Sequence, residues 1–182
     1  MPVSVTEPLL KDHNQLRQFV GELKANLDQF NLAGLRRTVR RIQEVTEPHA
    51  LKEESALYLI GMKSLRADNE KLPELFREHH ELAARLNLLL RALYSPQLTN
   101  VEDTIRNQAV LVAEELLDHL EDEEKNVFPA LEQLLDDETK QLILKRMSRV
   151  AGDEEDELLS RAPLISLPML PGENDLDSEL PA

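Results

Sequence analysis

Two stretches of the 182-residue chain pair an imidazole with a carboxylate four positions on: His49-Ala-Leu-Lys-Glu53 and His119-Leu-Glu-Asp-Glu123. On a helix, positions i and i+4 share a face, rotated by about 40° and separated by about 6 Å along the axis. A nitrogen and an oxygen so placed can converge on one metal ion or on two adjacent ones. Two further histidines, His13 and His79, each lie upstream of one such pair. Neutral imidazole with carboxylate and no thiolate suits iron, manganese or zinc.

The spacing alone is a weak signal. With 35 acids among 182 residues, five histidines meet about one acid at i+4 by chance, and two are found. The joint pattern is stronger, because four of the five histidines fall in apolar seams, one per predicted helix. An unpaired carboxylate in such a seam costs several kcal/mol, which a bound cation would offset. The bland alternative makes His13 and His79 satisfied core histidines and puts Glu53 and Glu123 on a solvated face.

The elements that must bring these side chains together can be read from the apolar periodicity. Leu9, His13, Leu16, Val20, Leu23 and Leu27 keep i+3/i+4 spacing, so a first helix carries His13 in its seam. Ser4 or Thr6 is its candidate cap, and Pro8 suits its first turn. Residues 31–34 read as a turn or a helix start. A second pattern runs through Leu35, Val39, Ile42, His49, Glu53, Ala56 and Ile60. It contains Pro48, which predicts a kink or short break near residues 44–47. A connection falls within residues 61–69, where Asp68 or Asn69 can cap a third helix. The seam of that helix is Leu72, Leu75 or Phe76, His79, Leu82, Leu86, Leu89 and Leu93. After a second connection at residues 94–100, Asn100 and Asp103 resemble a capping box. The fourth helix carries Ile105, Ala109, Val112, Leu116, His119, Glu123 and Val127, and Pro129 marks or kinks its last turns. Asp136 is the candidate cap of a short C-terminal helix through Leu142 and Met147.

Four long amphipathic helices with short connections predict an all-α, up-down-up-down four-helix bundle over residues 1–150. Its halves echo each other. Asp12-His13-Asn-Gln-Leu16 matches Glu78-His79-His80-Glu-Leu82, and each precedes a His-x-x-x-Glu-Glu helix. A two-helix unit used twice would set two ligand sets around a pseudo-two-fold axis. From residue 151 the composition changes to nine acids and one base, with prolines at 163, 168, 171 and 181. Residues 151–182 therefore read as a disordered acidic tail, whose apolar stretch at residues 164–170 is the candidate contact for a protein partner.

Composition excludes several function classes. A net charge of -14 opposes nucleic acid and anionic membranes as partners. There is no run of about 18 apolar residues to span a bilayer, and no signal-peptide pattern at the N-terminus. With no cysteine there is no disulfide, thiolate metal site or cysteine nucleophile. A cytoplasmic protein, monomeric or weakly homodimeric, is the expectation.

The motifs Asp12-His13-x-x-Leu16, His49-x-x-x-Glu53-Glu54, Glu78-His79-x-x-Leu82 and His119-x-x-x-Glu123-Glu124, with Phe128-Pro129, resemble those of hemerythrin-like (HHE cation-binding) domains over residues 5–150. The resemblance implies a centre of two non-haem irons, with manganese or zinc less favoured. His13, His49, His79 and His119 would be terminal ligands, and Glu53 and Glu123 would bridge. The chain departs from the invertebrate oxygen carriers, which place a second histidine one turn after the third-helix ligand; here that position is Ala83. His80 adjoins His79 but is turned about 100° away, as a surface or supporting residue or, alternatively, as a replacement for His79. Glu54 and Glu124, at i+5, are reachable but less well placed than Glu53 and Glu123. One imidazole fewer leaves one iron an extra open position. That disfavours reversible oxygen storage and favours sensing of, or reaction with, oxygen, peroxide or nitric oxide. Alternatives are a di-iron peroxidase or oxidase and a metal-stabilised interaction module; the balance leans away from an enzyme. Arg36, Arg37, Arg40 and Arg41 read as a solvated basic stripe or a dock for the acidic run at residues 153–157. Tyr58, Phe76 and Phe128 read as core, with the tyrosine a potential hydrogen-bond donor to a bound oxygen species.

Overall fold

The computed structural model describes residues 3–60, 71–95 and 100–152. Four long helices, α1 (Glu7–Asp28), α2 (Leu32–Lys52), α3 (Lys71–Tyr94) and α4 (Val101–Asp122), form the bundle. α1 packs on α2, α2 on α3, α3 on α4, and α4 back on α1, which is the closed ring that the apolar seams predict. Two shorter helices follow, α5 (Phe128–Leu134) and α6 (Asp137–Gly152), and α6 packs on α2. The C-terminal helix starts at its expected cap, Asp136, whose Oδ1 accepts from Thr139 N at 2.8 Å, and runs on to Gly152, past the Met147 expected near its end. Ile143 and Met147 are then buried on the helix's inner face. The expected connection at residues 61–69, most of that at residues 94–100 and the acidic tail lie outside the described residues. Among the described residues no helix is long and apolar enough to cross a membrane.

Four local expectations are corrected. Pro48 does not interrupt α2, which runs unbroken from Leu32 to Lys52. The irregularity comes later, as a π-helical segment at Glu53–Tyr58, and a second π segment at Glu123–Val127 stands in the matching place of the other half. Pro129 instead starts α5, where a missing N–H costs nothing. Thr6 does precede α1, but its side chain does not cap it. Its N–H and hydroxyl, with Ser4 Oγ and Val5 N, donate to Glu132 Oε1 at 2.7–3.0 Å. Asn100 starts α4 in the left-handed conformation (φ 61°) without a side-chain cap.

The core forms two apolar layers. One contains Leu16, Leu23, Val39, Ile42, Leu86, Leu89, Val112 and Leu116. The other contains Leu9, Leu57, Tyr58, Leu75, Phe128, Leu131, Ile143 and Met147. Along each long helix the polar seam residue falls where one layer gives way to the other: His13 between Leu9 and Leu16, His79 between Leu75 and Leu82. A sealed polar stratum is thus held between two apolar ones. The basic stripe lies on the surface, with Arg37, Arg40 and Arg41 exposed and Arg36 half-buried; Arg36 and Arg40 lie over the Tyr94 ring, each at 5.0 Å, and Arg41 over Phe19 at 4.0 Å.

Candidate metal centre

All six predicted donors are buried: His13, Glu53 and Glu123 at 0% exposure, His49 at 2%, His79 and His119 at 5%. They form two groups, His13–His49–Glu53–Glu123 and Glu53–His79–His119–Glu123, and within each group one donor atom per residue lies within 4.8 Å of all the others. Glu53 and Glu123 belong to both. Glu53 Oε2 is 3.3 Å from His49 Nε2 and 3.2 Å from His79 Nε2. Glu123 divides its oxygens, Oε2 standing 3.2 Å from His13 Nε2 and Oε1 3.5 Å from His119 Nε2. His13 and His49 bring their Nε2 atoms to 3.2 Å.

The outer nitrogens explain why the inner ones need a cation. His13 Nδ1 faces Glu124 Oε1 at 2.8 Å, His79 Nδ1 faces Glu54 Oε1 at 2.9 Å, and His119 Nδ1 faces Glu78 Oε2 at 2.8 Å. His49 Nδ1 faces Asp12 Oδ2 at 3.4 Å. A carboxylate only accepts, so each Nδ1 carries a proton, and unless the ring gains a second one it turns a bare Nε2 lone pair inwards. Those lone pairs meet carboxylate oxygens, acceptor against acceptor. Accordingly, His79 Nε2, His119 Nε2, Glu123 Oε2 and both oxygens of Glu53 lack a hydrogen-bond partner despite their deep burial. Native interiors rarely leave such atoms unmet.

Protons are one remedy, and the electrostatics show their pull. Burial opposes a charged His79, but the carboxylates of Glu53 and Glu54 beside it outweigh that and raise its pKa to about 10. His13 is raised in the same way against its burial, chiefly by Glu123. Glu123, though burial disfavours its charge, is held at about 2 by His13 and the other three histidines. A metal cation is the other remedy. Donor atoms bonded to one ion at about 2.1 Å stand roughly 3.0–3.4 Å apart, the range of most contacts here. The residues therefore fit a pair of metal ions sharing the two glutamates.

Tyr58 completes the stratum. It is fully buried, its hydroxyl donates to Glu123 Oε1, and its ring stacks on His79 at 6.1 Å. Burial and the nearby Glu53 and Glu123 charges push its pKa well above 10, so in this environment it is a phenol. Phe128 stacks on His13 at 5.3 Å in the matching place. Each ring lies five residues after a shared glutamate, at the end of or just beyond a π segment, where i→i+5 bonding brings residues five apart over one another.

Sequence reasoning missed the tasks of Asp12 and Glu78, although both stand in the repeated acid–histidine dipeptide. Each orients the histidine of the following helix rather than its neighbour's ring. Glu54 and Glu124 are the outer acceptors for His79 and His13. His80 is exposed and turns its Nδ1 to the Phe76 carbonyl at 2.7 Å, outside the donor cluster, and Ala83 supplies no donor.

A four-helix bundle with two linked histidine–carboxylate groups sealed in its middle is a metal-binding bundle. The family model of the hemerythrin HHE cation binding domain matches residues 4–131, and the chain belongs to that family. No curated protein and no solved structure matches the chain.

Proposed function

We propose that the cluster holds two non-haem iron ions bridged by Glu53 and Glu123, and that the centre binds or senses a small ligand such as oxygen, peroxide or nitric oxide. The observation that carries this reading is the sharing of both glutamates between two otherwise separate histidine pairs. Imidazole and carboxylate without sulfur favour iron or manganese over softer metals, and a closed tetrahedral zinc site would not need shared carboxylates. When bound, such a metal pair supplies exchangeable positions and one-electron redox chemistry.

The chain's own residues provide the rest. His13, His49, His79 and His119 would hold the ions from the four helices, two per ion. Asp12, Glu54, Glu78 and Glu124 hold the rings in the tautomer that frees Nε2 and make the imidazoles stronger donors. The apolar layers above and below keep bulk water from the centre. Tyr58 places an O–H donor at its edge, beside Glu123 and His79.

Each ion would have two imidazoles and two shared carboxylates, with no further protein donor at Ala83. Such open positions also suit turnover, so a peroxidase or oxidase is the second reading. Metal-free protein loaded anaerobically with ferrous iron should bind two equivalents. On exposure to oxygen, nitric oxide or peroxide it should then change its near-ultraviolet absorption. A change that reverses when the gas is removed supports binding or sensing; sustained consumption of peroxide over many equivalents supports the enzyme. Absence of any ferrous uptake defeats both.

A further inference from the structure

The two halves that carry the donors are alike in fold and unlike in charge. Aligning His13 with His79, and His49 with His119, sets Lys52 against Asp122 and Arg17 against Ala83. Both cations act on one ligand group. Lys52 Nζ lies 3.0 Å from Asp12 Oδ2, the same oxygen that faces His49. Arg17 Nη1 lies 2.7 Å from Glu124 Oε1, the oxygen that faces His13. The carboxylates behind the other pair, Glu54 and Glu78, face His79 and His119, and among the described residues neither is paired with a lysine or arginine.

The outer surface repeats the contrast. A depression between α3 and α4 is lined by Glu78, Glu81, Glu115, Asp118 and Asp122, with His119 in its wall. His119 is 95% buried (5% exposed); it turns Nδ1 to Glu78 in this wall and Nε2 inwards to Glu123. Arg77 pairs with Glu81, and Arg85 with Glu115, so Glu78, Glu81, Glu115 and Asp118 set four carboxylates against two guanidinium groups. The matching positions on α1 and α2 are Asp12, Gln15, Val45, Pro48 and Lys52, one acid and one lysine. A second depression, beside Glu124, sets Arg17 and Lys125 against Glu121 and Glu124 and has no net charge.

We propose that the two metal positions are inequivalent, and that the His79–His119 position fills before the His13–His49 position. This rests on the six residues being metal donors, as proposed above. A carboxylate behind an imidazole strengthens it as a ligand. Where the same oxygen is shared with a fixed cation, that push is weaker, and the cation also repels the incoming ion. Tyr58 acts in the opposite sense, since its hydroxyl occupies Glu123 Oε1 on the His119 side. That is one neutral hydrogen bond to one donor, against two fixed cations on the other position and a more acidic surface on this one.

The test is a zinc titration of metal-free protein, followed by nuclear magnetic resonance of the four imidazole rings. His79 and His119 should respond during the first equivalent and His13 and His49 during the second, the two affinities differing about tenfold or more. Arg17→Gln combined with Lys52→Gln, both at the bundle surface, should narrow that gap to about threefold or less. Glu81→Gln with Asp118→Asn should narrow the same gap at low salt, an effect that fades at high salt, with two zinc ions still bound at the end. Filling of His13 and His49 first, or simultaneous filling with no response to the double variants, overturns the proposed order. A protein that binds two zinc ions in the wrong order leaves the donor assignment standing; one whose histidines ignore zinc removes both.

Discussion

The first half of the bundle, α1 with α2, and the second, α3 with α4, are two editions of one design. Each gives a histidine from its first helix and a histidine–glutamate pair from its second. Each opens a π segment at the glutamate and places an aromatic ring five residues on. The editions part at the ring, phenol at Tyr58 and phenyl at Phe128, and in the outer charges, where only the first half carries Lys52 and Arg17. What is shared sets out two linked donor groups; what differs gives each its own surroundings. The lesson is that repetition builds the ligand geometry, while single substitutions one layer out can tune the two positions separately.

The largest effect should come from removing what the halves share. Glu53→Ala or Glu123→Ala takes a donor from both groups at once, so either variant should lose the paired centre. Glu124→Ala removes only an outer acceptor and should retain two metals with affinity about 10–100-fold weaker. Metal counts after equilibrium dialysis decide between them. If Glu124→Ala abolished binding and Glu123→Ala preserved two ions, the donor assignment would be reversed.

The next effect lies where the halves are tied together. Glu132 accepts four hydrogen bonds from residues 4–6 and meets Lys140 Nζ at 2.8 Å. Partial burial opposes its charge, but Lys140 and these donors hold its pKa at about 2 against an ordinary 4.5. A depressed carboxylate pKa stabilises the fold above the ordinary value, and that contribution is lost as pH falls from about 4.5 towards 2. With solvent screening of a partly exposed pair, Glu132→Gln should therefore cost on the order of 1–2 kcal/mol at neutral pH, and the difference should close in acid. Chemical denaturation of both proteins across that range checks it; a difference that does not vary with pH would show the clamp is not ionic.

Making the halves more alike is a gentler change. Tyr58→Phe strips the metal-free protein of a buried hydrogen bond to a carboxylate and should lower its stability by about 1.5–3 kcal/mol, while two metals still bind. Thermal melts with and without metal separate the two statements. Smallest of all, His80→Ala should alter stability by less than about 0.5 kcal/mol and leave the metal count as it was. A lost metal would return His80 to the donor set.

Much of this was legible in the chain because period and chemistry coincide. His13, His49, His79 and His119 occupy seam positions that apolar residues would otherwise fill, and so declare themselves against the heptad-like background. The bundle follows from the same seams. The π segments were not legible, since nothing in the spacing of Glu53 to Tyr58 distinguishes i→i+5 from i→i+4 bonding. Pro48 pointed to a break that α2 does not have. The roles of Asp12 and Glu78 were hidden by distance, because each acts on a histidine in the following helix. The Thr6 cap failed as an expectation for a similar reason: Glu132, far along the chain, offers a charged acceptor that out-competes a local hydroxyl–amide bond.

The central claim is that six buried side chains hold two metal ions. Elemental analysis of freshly purified protein, prepared under both reducing and oxidising conditions and read beside its ultraviolet–visible spectrum, tests it most directly. The account predicts two iron ions per chain with a near-ultraviolet charge-transfer band in the oxidised form. Protein that carries no transition metal under either preparation, and takes up none when offered, would contradict it.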